Sequence, residues 1–526
     1  MKMKNKNLLK KAIGSALVAT MAMSMVACGS KTKTATNTTT DTTKEVVTLK
    51  AFTLGKAPTT GLDNFYKQLD ALTVKDLGAK VRFDYIAWGD EKNKINLAIA
   101  SGEYDLYSGG GFSDYKGTAT KNAFLDLKPL LKDVPDLVEH YTQASDKTLS
   151  YAELSGKLFG IPQLGKVDGG DTGSEGLVYR KDLLKEWGLD EVTNLDTMEK
   201  YLYKAKDDAR YKATPVITDN RIWTSLFYMI AGGKYMEISG ISENPYAVVS
   251  YADPYTVVNF LDTPEYKKIL EYASKWYKDG IINHDILAAS ANETAKSAEL
   301  LKANKKVAET NSPRWSIETS IVAPIFKANP TWELGWFDYK DTNGSPAYLP
   351  GISNNSVISI SAKSKNAATA LKFIEKAHTD QTYYNLLKFG VLDENYKIVD
   401  GIPSTVGIDE NSVKPSWTAL PDGYMEKATL SADPKWEAIT QKMKTGNPTP
   451  KEYSPLEGFS FDKTELSAES AALETVKTQY MLPLQCGVTK NIDTDLVNVK
   501  AKLKGAGLDK YMAALQKQLT DFAATR

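Results

Sequence analysis

Val46-Val47-Thr48-Leu49-Lys50-Ala51-Phe52-Thr53-Leu54 is a run of β-branched and apolar residues, and the periodicity downstream of it decides the fold. Leu62, Phe65, Tyr66, Leu69 and Leu72 recur at helical spacing, and Val81, Phe83, Tyr85 and Ala87 then alternate as a second strand. Strand, helix, strand makes a βαβ unit. A second helix carrying Ile95, Leu97 and Ile99 leads through Gly102 to a short strand at Tyr104 to Tyr107, which breaks at Gly109-Gly110-Gly111-Phe112. Parallel strands joined by helices bring their carboxyl-end loops to one edge of the sheet, where open α/β sheets bind ligands. Trp88 and Phe112 fall just past such strand ends.

Upstream, Lys2, Lys4, Lys6, Lys10 and Lys11 precede an apolar stretch from Ala12 to Ala27, and small Ala27 stands before Cys28. This is the pattern of an export signal. Sixteen residues interrupted by Gly14, Ser15, Thr20 and Ser24 fall short of the roughly 20 that a membrane span needs. Ser30 to Thr43 is rich in threonine and almost free of aliphatic residues, which suits a flexible tether.

Removal of residues 1–27 leaves roughly 500 residues, ample for several domains and large cores. Lys plus Arg equals Asp plus Glu at 65 each, so no net field gathers polyanions and a nucleic-acid partner is not expected. The two cysteines are Cys28 and Cys486. If lipid claims Cys28, no intramolecular disulfide remains, and Cys486 reads as a small buried residue. The 28 tyrosines exceed the 9 tryptophans and 15 phenylalanines, a bias that suits surfaces gripping something partly hydroxylated.

Further along, Leu158-Phe159-Gly160-Ile161-Pro162 is a short apolar run, and Leu177 to Arg180 opens a new strand followed by a helix from Lys181 to Trp187. A domain crossover is expected between them. Val357 to Ile360 reads as a strand, followed by a helix on which Ala367, Ala370, Leu371, Ile374 and Ala377 share a face. The last quarter is loop-rich around Pro403, Pro415, Pro421, Pro448 and Pro450, then helical from about Glu465 to Tyr480 and from about Asp495 to Ala523.

Several segments together resemble the extracellular solute-binding proteins of ABC importers, in the group similar to the maltose-binding protein. Met25-Val26-Ala27-Cys28-Gly29 resembles a lipoprotein lipobox. Trp88 to Ile95 followed by Ala98 to Leu106, Gly176 to Leu183, and Ala367 to Ile374 with Thr379-Asp380 resemble the family's motifs in family order. The stretch from Ser454 to Asp462 and on to Lys502 to Asp509 resembles an extra C-terminal domain found in a subgroup of these lipoproteins.

The resemblance implies an α/β, two-lobe, type II periplasmic-binding-protein-like fold with hinge-crossing strands. It places residues 1–27 as signal peptide and 28–45 as tether. Residues 46–160 and about 348–400 form the first lobe, and 161–347 with about 401–526 form the second. It also implies a lipid on Cys28 that holds the protein outside the cell membrane, with a Gram-positive surface as the expected setting. The implied partners are a small solute, expected to be a sugar or oligosaccharide, and ABC permease subunits. A monomer without cofactor, metal or catalytic residues is expected.

A sugar ring stacks its C–H face on a flat aromatic while its hydroxyls need polar partners. Trp88, Phe112, Trp223 and Trp315 are the stacking candidates, with Asn220 and Arg314 as donors and Asp90 as acceptor. Each has a plainer reading. Trp88 and Trp223 suit a core, Phe112 a sheet edge, Asp90 the start of the helix at Glu91, and Arg314 an ordinary ion pair.

Signals for chemistry are weak. Asp171-Thr172-Gly173-Ser174 matches one aspartic-protease loop, but that chemistry needs two, and no second copy exists. Asp338 to Gly344 lacks the alternating oxygens and closing Glu of a calcium loop. Gly109 to Gly111 lacks the Gly-Lys-Ser/Thr ending of a phosphate loop, and His140, His284 and His378 make no local zinc motif. The rival functions are a cell-surface glycoside hydrolase, whose carboxylate pair would meet only in the fold, and a solute-sensing receptor component.

Overall fold

The computed structural model describes residues 46–524 apart from 56–60, 87–90, 111–114, 144–148, 155, 165–174, 239, 290–292, 314–321 and 340–352. Within 405–460 it describes only 408, 417, 420, 422, 424, 425, 435, 454–456 and 459. The signal, the tether and Cys28 therefore lie outside the described residues, as do Trp88, Asp90, Phe112, Arg314, Trp315 and the Asp171 loop.

The opening run is strand β1 (Val47–Leu54), and it pairs in parallel with β2 (Ala79–Ile86) and β3 (Leu106–Gly110). Alternation sends Leu49 and Ala51 to one face of the sheet and Phe52 and Leu54 to the other, and each face buries its own apolar cluster. Between the strands the helix Leu62–Leu77 ends at Gly78, whose φ of 63° lets its N–H reach the carbonyls of Thr73 and Val74. Strand β4 (Ile161–Gln163) forms one edge of this sheet.

The second lobe starts with β5 (Glu175–Arg180). A small antiparallel sheet of β6 (Tyr235–Glu237), β7 (Ala247–Ser250) and β8 (Val258–Asn259) comes next. Then β9 (Ala308–Pro313) and β10 (Leu334–Asp338) flank β5, both antiparallel to it. Strand β11 (Ser353–Ile360) returns to the first lobe and lies between β3 and β4, antiparallel to both. The first sheet therefore has the order β2-β1-β3-β11-β4, four strands drawn from the first 163 residues and one from far downstream. A hairpin of β12 (Lys397–Val399) and β13 (Ile402–Ser404) lies beyond it in the chain.

Packing corrects two boundaries read from the sequence. Ile161 and Leu164, and later Trp417, Leu420 and Met425, belong to the core of the first lobe. The second lobe is expected to open at residue 161, yet Ile161–Gln163 is an edge strand of the first sheet, where a proline is tolerated. Trp417 stacks on Phe373 with ring centroids 5.4 Å apart, which holds its segment to the first lobe.

The C-terminal helices add to the second lobe: Phe461, Leu473, Met481, Leu484, Leu503, Leu515 and Leu519 share one core with Trp276 and Phe227. The helix expected from Glu465 to Tyr480 runs as Ser467–Val476, a π turn at Lys477–Met481 and a last turn at Leu482–Gln485. Pro483 explains the widening, since it offers no N–H and its ring crowds the carbonyl four residues back. The expected last helix is two, Ile492–Gly505 and Leu508–Ala523, divided at Gly507 with φ 94°.

Candidate functional site: the hinge and the mouth of the second lobe

Among the described residues, the chain passes between the two cores three times. Leu164 lies in the first core and Leu177 in the second; Tyr339 lies in the second and Ile358 in the first; Met425 lies in the first and Phe461 in the second. At the first lobe these connections root side by side. Ser353 opens β11 opposite Gln163, and Leu164 bridges in parallel to Asp422. Two adjacent strand ends and the residue bridged beside them, from which the chain leaves for the second lobe, form the root of a hinge.

The outermost of these ends is held by a buried polar knot that the sequence did not reveal. His140 Nε2 and His378 Nδ1 each lie 2.7 Å from Asp422 Oδ2, and Gln143 Nε2 lies 3.1 Å from His140 Nδ1. Asp422 Oδ1 accepts from the N–H groups of Tyr424 and Met425, and the Asp422 N–H donates to Tyr384 Oη. Asp422 and His378 are wholly buried. Burial by itself would raise the Asp422 carboxyl, but the two imidazole donors outweigh it and hold the group at about 2. Beside the knot, the Tyr141 hydroxyl donates to the Pro162 carbonyl of β4. Two histidines separated by 238 positions meet only in the fold, so no local spacing could have announced them.

The knot has the donor types of a zinc site, and among the described residues it is the one such cluster. Its geometry is that of hydrogen bonds, with both rings aimed at one carboxylate oxygen. His378 Nε2 also has no partner among the described residues, whereas a ligating imidazole normally gives its other N–H to an acceptor. His284 sits apart, beside Tyr277.

At the second lobe, Asp219 and Arg221 flank Asn220 at the start of the helix Ile222–Ile230. The Asp219 carboxylate accepts from the Arg221 backbone and forms a 2.6 Å ion pair with its guanidinium. Half-buried Asn220 takes a 3.4 Å contact on its carbonyl from Cys486 Sγ. Trp223 is 4% exposed and packs inside the second core, in the first turn of that helix, so it leaves no open ring face. This is the core reading of that tryptophan. The same helix is tied to β9 by Ser225 Oγ, which donates to the Thr310 carbonyl, and Tyr339 Oη donates to that carbonyl at 2.6 Å. Of the seven predicted ligand residues, Asn220 and Trp223 are the two within the described set; they lie three positions apart at the start of one helix, Asn220 half-buried and Trp223 in the core.

The decisive comparison is with families. Residues 67–392 match the bacterial extracellular solute-binding proteins. The chain belongs to that family. Residues 455–524 match a domain of unknown function, DUF3502, which coincides with the helices added to the second core. A carbohydrate ABC transporter substrate-binding protein of Streptococcus pneumoniae serotype 4 is 24% identical over 98% of this solute-binding protein and 99% of its own length. Lipoprotein LipO of Bacillus subtilis is 24% identical over 62% of this chain and 64% of its own. Among solved structures, the N-glycan transport solute binding protein NgtS from Streptococcus pneumoniae superposes with a TM-score of 0.66 at 19% identity, over 91% of this chain and 99% of that one. NgtS structures also include complexes with Man1GlcNAc and Man5GlcNAc. The fold of this solute-binding protein is thus the two-lobe type II arrangement that its sequence resemblance implied.

Proposed function

We propose that this solute-binding protein captures a carbohydrate, most plainly an oligosaccharide, between its lobes and presents it to an ABC importer. The full-length similarity to a carbohydrate ABC transporter substrate-binding protein carries this reading. The three connections rooted side by side supply the mechanics: a ligand that touches both lobes favours the closed state by the contacts the open state lacks. The protein works as a binder and not as an enzyme, tethered outside the membrane through a lipid on Cys28 and acting as a monomer. Trp88, Asp90, Phe112, Arg314 and Trp315, with half-buried Asn220 just before the helix Ile222–Ile230, are the proposed ligand contacts.

Calorimetric titration of purified protein against mono- and oligosaccharides tests the ligand class. Saturable heat with at least one sugar is expected. Silence with every sugar alongside tight binding of peptides would overturn the proposal, and steady turnover of chromogenic glycosides would move the protein to the hydrolases.

A further inference from the structure

The sequence separation of the buried knot, 282 residues from His140 to Asp422 and 44 from His378 to Asp422, contrasts with its single location at the root of the hinge. Each partner lies on a different part of the first lobe. His140 sits on the helix Pro135–Thr142, His378 near the end of the helix Ala367–Thr379, and Asp422 on the last segment before the chain leaves for the C-terminal domain. Tyr384 and Gln381, on the helix Gln381–Phe389, take the same segment at its backbone, through the Asp422 N–H and the Met425 carbonyl. The backbone of Asp422 in turn bridges Leu164, the last described residue before the first connection, and Gln163 beside it pairs with Ser353, where the second connection arrives. One side chain thereby fixes the residue bridged to the end of β4, and through that bridge and the β4–β11 pairing the roots of the other two connections.

We infer that Asp422 is a positioning residue for lobe closure: the His140–Asp422–His378 knot sets the resting angle and stiffness of the hinge. Backbone pairing holds adjacent strands together, but it resists sliding and fraying weakly at an edge, where each strand has a partner on one side only. A carboxylate with two charge-assisted acceptor bonds and two backbone amides on its other oxygen fixes that edge in both position and rotation. The knot is buried, so water cannot replace a lost partner, and a weakened knot leaves the edge strand free to move before the lobe itself unfolds. Two helices hold the imidazoles, so the anchor is referred to the rigid body of the first lobe and not to a loop.

This inference rests on the two-lobe closing reading above, but its test uses no sugar and can fail independently of sugar binding. Spin labels placed by Lys67→Cys and Lys268→Cys, on exposed positions of first-lobe and second-lobe helices, report the distance between lobes by electron–electron resonance, with Cys486 left in its buried site. Asp422→Asn, which keeps the shape and removes the charge, is expected to shift and broaden the interlobe distance distribution of the unliganded protein. His140→Gln, which leaves the bond to His378, is expected to do the same to a smaller extent. Leu69→Ala destabilises the same lobe in its core away from the hinge and is expected to leave the distribution unchanged. A wild-type distribution in Asp422→Asn, or in His140→Gln should Asp422→Asn fail to fold, overturns the inference. So does an equal shift in Leu69→Ala, which would reduce the knot to general support of the lobe.

Discussion

Replacing Gly487 with alanine tests whether the C-terminal helices are a built-in part of the second lobe or an appendage resting on it. Gly487 comes just after the last turn Leu482–Gln485 with φ 82°, and a Cβ there would overlap the Ala273 carbonyl in the middle of the helix Pro264–Lys278. Two penalties add. A left-handed conformation costs an alanine about 1–2 kcal/mol, and forcing a methyl against packed backbone adds about 1–3 kcal/mol. The stiffer unfolded chain returns about 0.4–1 kcal/mol. The net loss is then about 1–4.5 kcal/mol. Gly188 provides the control: it caps the helix Asp182–Trp187 with φ 65° and nothing stands near its Cβ, so Gly188→Ala bears the conformational penalty alone, about 1 kcal/mol. At about 2–4 °C per kcal/mol for a domain of ordinary size, thermal melts should separate the two variants by several degrees. Limited proteolysis should also cut Gly487→Ala first within 455–524. Equal melting shifts for the two glycines would refute the reasoning, because they would mean that the helices do not press on the lobe at this point.

Other consequences concern buried charge and the rim. Asp422, held at about 2, titrates near 3.9 once unfolded, so its stabilisation is complete above about pH 4 and is lost as the pH falls towards 2. That gap corresponds to about 2–3 kcal/mol, and acid unfolding followed by circular dichroism should lose this part of its slope in Asp422→Asn. Lys306 and Glu309, both 2% exposed, form a 3.4 Å ion pair that Ser297 and Thr218 complete through their hydroxyls. Lys306→Met should cost about 3–5 kcal/mol by leaving the carboxylate alone, and adding Glu309→Leu should restore most of it in urea melts. Burial, with the Asp219 carboxylate nearby, pushes the Cys486 thiol up to about 12, so it should react with a disulfide reagent at about pH 8 only at the rate of unfolding. For the proposed ligand contacts, Trp315→Ala should weaken sugar binding by about 1–3 kcal/mol with little change in melting temperature; a large melting shift with unchanged affinity would assign that ring to a core.

What the sequence made legible is what short-range periodicity controls. The run from Val46, the stripe at Leu62 to Leu72 and the alternation at Val81 to Tyr85 appear as β1, the helix Leu62–Leu77 and β2. Their type is set by side-chain period alone. Ends were less legible, and for local reasons: the strand expected from Tyr104 starts at Leu106, because Asp105 first turns its carboxylate onto the Lys50 backbone. The long last helix divides at Gly507, one residue in an otherwise continuous apolar pattern. Trp223 illustrates the limit at the site. It is a stacking candidate with a core as its plainer reading, and the helix turn that carries it faces the core with Ile222, Leu226 and Phe227, so the indole goes with them. Nothing in a local window tells a tryptophan at a cleft from one beneath it.

The number of connections decides how the lobes can move. With two connections, the lobes can bend across the pair of strands and also twist about the line between them. A third root in the same row resists that twist, because twisting would have to pull Ser353, Leu164 and Asp422 out of pairing in opposite senses. Bending about that row leaves the three pairings intact, and a closure of that kind would let a ligand's contacts with both faces be made together. The C-terminal domain is therefore tied to the hinge by the chain itself: the segment that leaves Asp422 and Met425 arrives in helices that share the second core. Because these helices share one core with Trp276 and Phe227, any closing motion of the second lobe would have to carry them with it.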